Sequence, residues 1–398
     1  MSKIKFGLLY KVLAAIVLGI VCSLFFPRWA VRIFVTFNSL FSNFLGMFVP
    51  LLIIGFIAPA IARIGSGAAR LVAWTVGLAY LSTALVGFIS YFTARWSFPS
   101  LLHGQMGSLE GLAVAQGIDP YFVISMPPPL NVNTALIIAF ILGLGATAIK
   151  GKTFGECLSD FGDIVSKTIE KVIVPCLPLF IFGIFLKIGA EKQTAAVLGV
   201  FLKVVAVIVA LHLLLIICQY MVAWLVSGRN PLKAIVRMLP AYLTALGTSS
   251  SAATIPVTLE CTKRLGVRDE LAELTVPLCA TVHMPNSIMV LVLCCMSVSM
   301  CLGQPFGLDI YAGFILMVGV AAVAAPGVPG GVVMAALGLI GSMLGLDADM
   351  QGIIAAIFIA INSVATAGNV VGDGALSLIV ERISGDPRSR GFGDLQND

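Results

Sequence analysis

The sequence predicts an all-α polytopic membrane protein carrying two helical hairpins that enter and leave the bilayer on one face. Three observations predict this class. Hydrophobic residues make up 59% of the 398 positions and charged residues only 11%, with a mean hydropathy of +1.05, whereas a soluble domain carries roughly 25% charged residues. The apolar runs are long enough for about eight spans, since a hydrocarbon core of ~30 Å takes ~20 helical residues. Two polar clusters, Thr248-Ser249-Ser250-Ser251 and Pro326-Gly327-Val328-Pro329-Gly330-Gly331, interrupt such runs.

The first run, Leu8 to Phe26, follows Lys3 and Lys5 as a signal sequence would. It lacks a small-x-small cleavage site before Pro27 and is read as a retained helix. Spans then fall near 7–26, 31–62, 71–94, 133–149, 164–186 and 194–226. A paired segment 231–262, a span 271–302, a second pair 308–344 and a last span 350–380 follow. Residues 1–384 thus form one integral membrane domain, and the polar tail 385–398 is assigned to the cytoplasm. The stretch Phe154 to Glu170, with Glu156, Asp160, Asp163 and Lys167, is expected at the membrane interface. Trp96 to Val132, containing Pro127-Pro128-Pro129, is expected to be an external connection.

With these boundaries the basic residues segregate. Lys3, Lys5, Lys11, Arg63, Arg70, Lys150, Lys152, Arg229, Lys233, Arg237, Lys263, Arg264, Arg268, Arg382, Arg388 and Arg390 share one side; Arg28, Arg32, Arg95, Lys187 and Lys192 take the other. Positive-inside bias then puts both termini in the cytoplasm of a cell (inner) membrane, and it does so only if each paired segment returns to its own face. The net charge of +5 lies at helix ends and implies no nucleic-acid partner; lipid is the surrounding partner. The nine cysteines sit mainly in apolar runs without C-x-x-C spacing and read as small buried hydrophobes.

Non-helical backbone at membrane depth persists only where it is buried in protein or lines a wet cavity. In each pair the second arm restarts just past the tip, so its free N–H groups and positive dipole end face the midplane. Ser249, Ser250 and Ser251 are suited to cap that restart and to add hydroxyl ligands. In the last span, Asn362, Thr366, Asn369 and Asp373 are spaced to share a helical face. No Lys or Arg lies between Asp269 and Glu381 to pair Asp373, so a bound cation is its expected partner, with carbonyls of a Gly-broken backbone completing the shell. Na⁺ suits that shell and H⁺ competes for it. Pro285 is expected to break the span 271–302. Beside it, His283 is read as the only histidine in a membrane segment, able to carry a proton, hydrogen-bond a solute or ligate a cation.

Ser249-Ser250-Ser251-Ala252-Ala253-Thr254-Ile255-Pro256, the Pro-Gly-Val-Pro-Gly-Gly tip and Asn369-Val370-Val371-Gly372-Asp373 occur in this order. They resemble the serine-rich hairpin, second hairpin and final-helix motif of the dicarboxylate/amino acid:cation symporter family, over nearly the whole chain. The resemblance implies a glutamate-transporter-like inverted-repeat fold of eight transmembrane helices and two hairpins, assembled as a homotrimer and working as an elevator. A scaffold of about 7–62 and 133–186 would hold a transport part of about 71–94 and 194–382. It implies that Ser251 and Asn369 hold the substrate carboxylate, and the substrate contacts read beside them are Ser250, Val328, Gly330, Asn362, Thr366 and His283. Sodium ligands would come from Asp373, Asn369, Thr281, Met284, His283, Ser82 and Thr83.

The chain also departs from that pattern. Where the family usually reads Asn-Met-Asp-Gly-Thr it has His283-Met284-Pro285-Asn286-Ser287, without the acidic ligand of a third sodium site, and fewer coupled ions are expected. The Asp and Arg that hold an acidic amino acid are replaced by Asn362 and Ala365. Without a bidentate guanidinium a second carboxylate loses its strongest contact. The expectation is therefore a non-enzymatic, cation-coupled symporter of a small neutral amino acid or a monocarboxylate. A proton-coupled carboxylate carrier and a passive channel or sensor are the alternatives. An intramembrane hydrolase using a serine with His283 finds no G-x-S-x-G setting.

Overall fold

The computed structural model describes residues 8–62, 69–103, 118–130, 132–149, 152–191, 194–323 and 330–384. The expected tail 385–398 and most of the second hairpin's tip, Val328 included, lie outside these residues.

Among the described residues the regular elements are helices: α1 (Leu8–Ser23), α2 (Arg28–Ala62), α3 (Ala69–Leu101), α4 (Val132–Ala148), α5 (Thr153–Thr168), α6 (Val174–Ala190) and α7 (Thr194–Ser227), then α8 (Pro231–Thr248), α9 (Ser251–Arg264), α10 (Asp269–Val282), α11 (Pro285–Cys301), α12 (Leu308–Val323), α13 (Gly331–Leu344) and α14 (Ala348–Ile383). Helices dominate because each residue's N–H and C=O is satisfied within its own segment, which an apolar surround demands. Among the described residues, six helical stretches are long and apolar enough to cross a membrane.

Three boundaries differ from the sequence expectation. The interfacial stretch and the following span form one rod, α5 running through a π turn (Ile169–Ile173) into α6. Nothing in Phe154 to Glu170 stops a helix, and its charged face needs only to point outward. α3 continues to Leu101, so Trp96 belongs to a helix. The last span is unbroken: α14 passes through Gly368 and Gly372 as regular helix. Those glycines permit close packing, since an added Cβ would come 2.5 Å from Asn286 Cγ at Gly368 and 2.9 Å from His283 Cε1 at Gly372.

α10, α11 and α14 form the centre. α3 and α7 pack against α11, while the α8/α9 pair lies along α14. α1 packs on α6, α4 and α5 pack on α2, and α12 pairs with α13. The segment 118–130 is held along α2: Arg32 Nε donates to Asp119 O at 3.0 Å, Thr36 Oγ1 accepts from Tyr121 N at 2.9 Å, and Asn43 Nδ2 donates to Ile124 O at 2.7 Å. One ionic clamp ties the base of the α8/α9 pair to α14. Arg229 donates to Leu265 O, Gly266 O and Glu381, and Arg268 N donates to Glu381 Oε1 at 2.9 Å.

Candidate functional site

Three helix interruptions converge on the same face of α14. The first separates α8 from α9. Asn230 caps α8, its side chain accepting from Leu232 N and Lys233 N. The helix ends at Ser249, which adopts φ +52°, a left-handed conformation costly for a residue with a Cβ. Ser250 then caps α9, its Oγ accepting from Ala253 N at 3.3 Å. Two bonds hold this turn on α14: Ser249 Oγ lies 2.6 Å from Ser363 Oγ, and Asn362 Nδ2 donates to Ser249 O at 3.4 Å.

The second interruption is His283–Met284, between α10 and α11. Pro285 takes the first position of α11, where a missing N–H costs nothing. Met284 N donates to Thr83 Oγ1 on α3 at 3.2 Å, and Asn286 N donates to Asn369 Oδ1 at 2.8 Å. The third precedes α13, which starts after Gly330 at φ +81°.

Between them lies a small cavity of about 30 Å³, lined by Ser249, Ser250, Ser251, Ala280, Met284, Ser287, Gly331, Val332, Asn362, Thr366 and Asn369. Every described polar side chain on this wall is neutral. Asn369 is oriented within it: its Oδ1 is taken by Asn286 N–H, and its Nδ2 points to Ser287 Oγ at 2.9 Å and Met284 Sδ at 3.9 Å. Thr366 Oγ1 donates to Asn362 O at 2.8 Å, leaving lone pairs for a solute. Gly330 adjoins the lining residue Gly331.

One turn beyond Asn369, Asp373 is 1% exposed. Its partner is a side chain, where the sequence suggested a cation: His283 Nδ1 lies 2.9 Å from Asp373 Oδ1, and Nε2 lies 3.1 Å from Ser82 Oγ. Beside a carboxylate Nδ1 carries the proton and donates. Asp373 Oδ2 is buried with no hydrogen-bond partner among the described residues, and so are both amide atoms of Gln219, which sits against Gly372 beside His283. A free carboxylate oxygen with amide and hydroxyl oxygens nearby suits a hard cation such as Na⁺. His283 neutralises the same carboxylate only when it is protonated.

The structure therefore gathers Ser250, Ser251, Asn362, Thr366, Asn369 and Met284 at the cavity, and Ser82, Thr83, His283 and Asp373 behind it. Thr281 stands apart. Its side chain is exposed and its hydroxyl donates back to Leu278 O at 2.9 Å. Sequence reasoning also missed a group. His283 is not the only histidine in a candidate span: His212 lies within Val197–Ser227 and is 1% exposed. A histidine within a strongly apolar run requires a partner, and that requirement was the available signal.

A family model described as the sodium:dicarboxylate symporter family matches residues 8–383. The serine/threonine transporter SstT of Streptococcus suis is 26% identical over 340 residues, covering 82% of this chain and 92% of the relative. The serine/threonine transporter SstT of Acinetobacter baumannii is 29% identical over 339 residues, covering 82% of this chain and 84% of the relative.

Proposed function

Because the chain belongs to the sodium:dicarboxylate symporter family and is thus a multi-pass, cation-coupled transporter of small solutes, we propose that its substrate is a small neutral amino acid with a polar side chain. One observation carries this reading: among the described residues, no charged side chain lines the cavity between the three helix interruptions. A single carboxylate finds the first free N–H groups of α9 and the hydroxyls of Ser250 and Ser251, where the helix dipole adds about 0.3–1 kcal/mol. A second carboxylate finds no guanidinium, and burying it unpaired is costly. Asn362, Thr366 and Asn369 supply the uncharged donors and acceptors that a side-chain hydroxyl needs. The two relatives are named serine/threonine transporters, which agrees with this chemistry.

Na⁺ is the co-transported ion, held at Asp373 with Asn369 and Met284 next to the solute. The sharing of Asn369 between the ion and the solute couples their binding. Movement of α3 and the segment 194–382 as an elevator within a trimer, with the α8/α9 and α12/α13 pairs as re-entrant gates, is the family's mechanism that this arrangement suits.

Thermal unfolding of the purified protein, with L-serine, L-threonine, L-aspartate and succinate in NaCl or choline chloride, tests the reading. A solute at 100 times its Kd adds about 2.7 kcal/mol of stability. Serine or threonine is expected to stabilise in Na⁺ alone. Low-micromolar binding of aspartate or succinate overturns the neutral-solute assignment. Proton coupling is the second reading, favoured by the placement of His283 on Asp373. Uptake driven by a pH gradient without Na⁺ would support it in place of sodium.

A further inference from the structure

We propose that His212 is a positioning residue for the transported solute, linking the first arm of the α8/α9 pair to the amide of Asn369. This rests on the reading of the cavity as the solute site. Four hydrogen bonds carry it. His212 Nδ1 lies 3.0 Å from Asn286 Oδ1, and His212 Nε2 lies 3.1 Å from the hydroxyl of Tyr242 on α8. Asn286 N donates to Asn369 Oδ1 at 2.8 Å, and Asn369 Nδ2 donates to Ser287 Oγ at 2.9 Å on the cavity wall.

The directions follow from the chemistry. Asn286 Oδ1 only accepts, so His212 carries its proton on Nδ1. Nε2 is then the acceptor, and Tyr242 donates. Every bond in the row points from the arm towards the cavity. Asn286 has little freedom to respond otherwise, because its amide lies flat against α14 where Gly368 leaves room. Its backbone N–H, one of the free donors of the first turn of α11, holds Asn369 with the NH₂ turned to Ser287 and Met284. Tyr242 lies two turns before Ser249, so a shift of the arm reaches Asn369 through His212 as well as through the tip.

The two imidazole nitrogens can be separated by substitution. In His212→Asn the side-chain amide replaces Nδ1 and keeps the bond to Asn286. In His212→Gln it replaces Nε2 and keeps only Tyr242. Tyr242→Phe removes the outer bond alone and leaves a half-buried ring in place. A net hydrogen bond is worth about 0.5–1.5 kcal/mol, or roughly 3- to 10-fold in affinity.

L-serine affinity, measured calorimetrically on the full chain in saturating NaCl, is expected to fall about threefold in His212→Asn and in Tyr242→Phe, and about tenfold in His212→Gln. Adding Tyr242→Phe to His212→Gln is expected to change nothing further, because the row is already cut at Asn286. Additive losses, or equal losses in the Asn and Gln variants, would mean that His212 only fills space and would overturn the proposal. If the wild-type chain binds no neutral amino acid, the solute reading fails by itself. The row is then judged by hydrogen exchange at the Asn286 amide, which should be about tenfold faster in His212→Gln than in His212→Asn; equal rates would overturn it.

Discussion

Two classes of helix in this molecule cross the same thickness under opposite rules. All residues in the most apolar 18-residue window of Asp269–Cys301 are buried, and 89% of those in the corresponding window of Ala348–Ile383; the figures are 33% for Leu71–Leu101 and 39% for Val197–Ser227. The two buried stretches carry the chain break at His283–Met284, the only described carboxylate among the groups forming the site, and most of its amides. The two outer stretches are unbroken and present Leu81, Leu85, Ile89, Leu213, Leu214 and Ile217 outward. Lipid cannot satisfy a backbone amide or a side-chain hydroxyl, so irregularity and polarity move to where protein can. α7 obeys both rules on its two faces, for His212 turns inward with Val204, Ile208 and Leu215 while Leu213, Leu214 and Ile217 turn outward.

Substitutions in the two classes should therefore differ in size. The largest effect is expected at Asp373: Asp373→Asn removes the site's carboxylate, so the sodium-dependent stabilisation, about 2.7 kcal/mol at a hundredfold excess over Kd, disappears from thermal unfolding curves. A full sodium response in this variant would move the ion elsewhere. Gly368→Ala comes next. Its Cβ would lie 2.5 Å from Asn286 Cγ, and overpacking of this kind costs about 1–3 kcal/mol. Unchanged stability would show that the α11–α14 contact yields easily.

At the first interruption, Ser250→Ala loses the cap of α9 and about 1 kcal/mol, read as a lower unfolding midpoint together with weaker solute binding. Leu85→Ala, on the outer face of α3 and 53% exposed, should stay within about 0.5 kcal/mol of wild type. A loss as large as that at Gly368 would place Leu85 in a protein interface and break the comparison.

The sequence was most legible where one local rule acts alone. Asn230-Pro231 opens a helix as its capping chemistry requires, and Ser250 caps α9 where a serine run after an apolar segment suggested. Pro285 marks the start of α11. It was misleading where the same residue serves two purposes. Gly368 and Gly372 read as a broken helix, yet both lie inside α14, because a glycine in a buried helix is also the means of bringing a neighbouring side chain close. Thr281, a sodium ligand by the family resemblance, here turns its hydroxyl back to Leu278 O.

By itself the sequence determined that this is a multi-pass helical membrane protein and where a local cap or proline starts a helix, as at Ser250 and Pro285. Composition, capping and proline act within a few residues, and those effects survive in any fold. Only the tertiary structure decided partnership: that Asp373 meets His283 across 90 positions, and that His212 joins Tyr242 to Asn286. These pairings depend on the rotation and depth at which distant helices pack, and short-range chemistry carries no record of either.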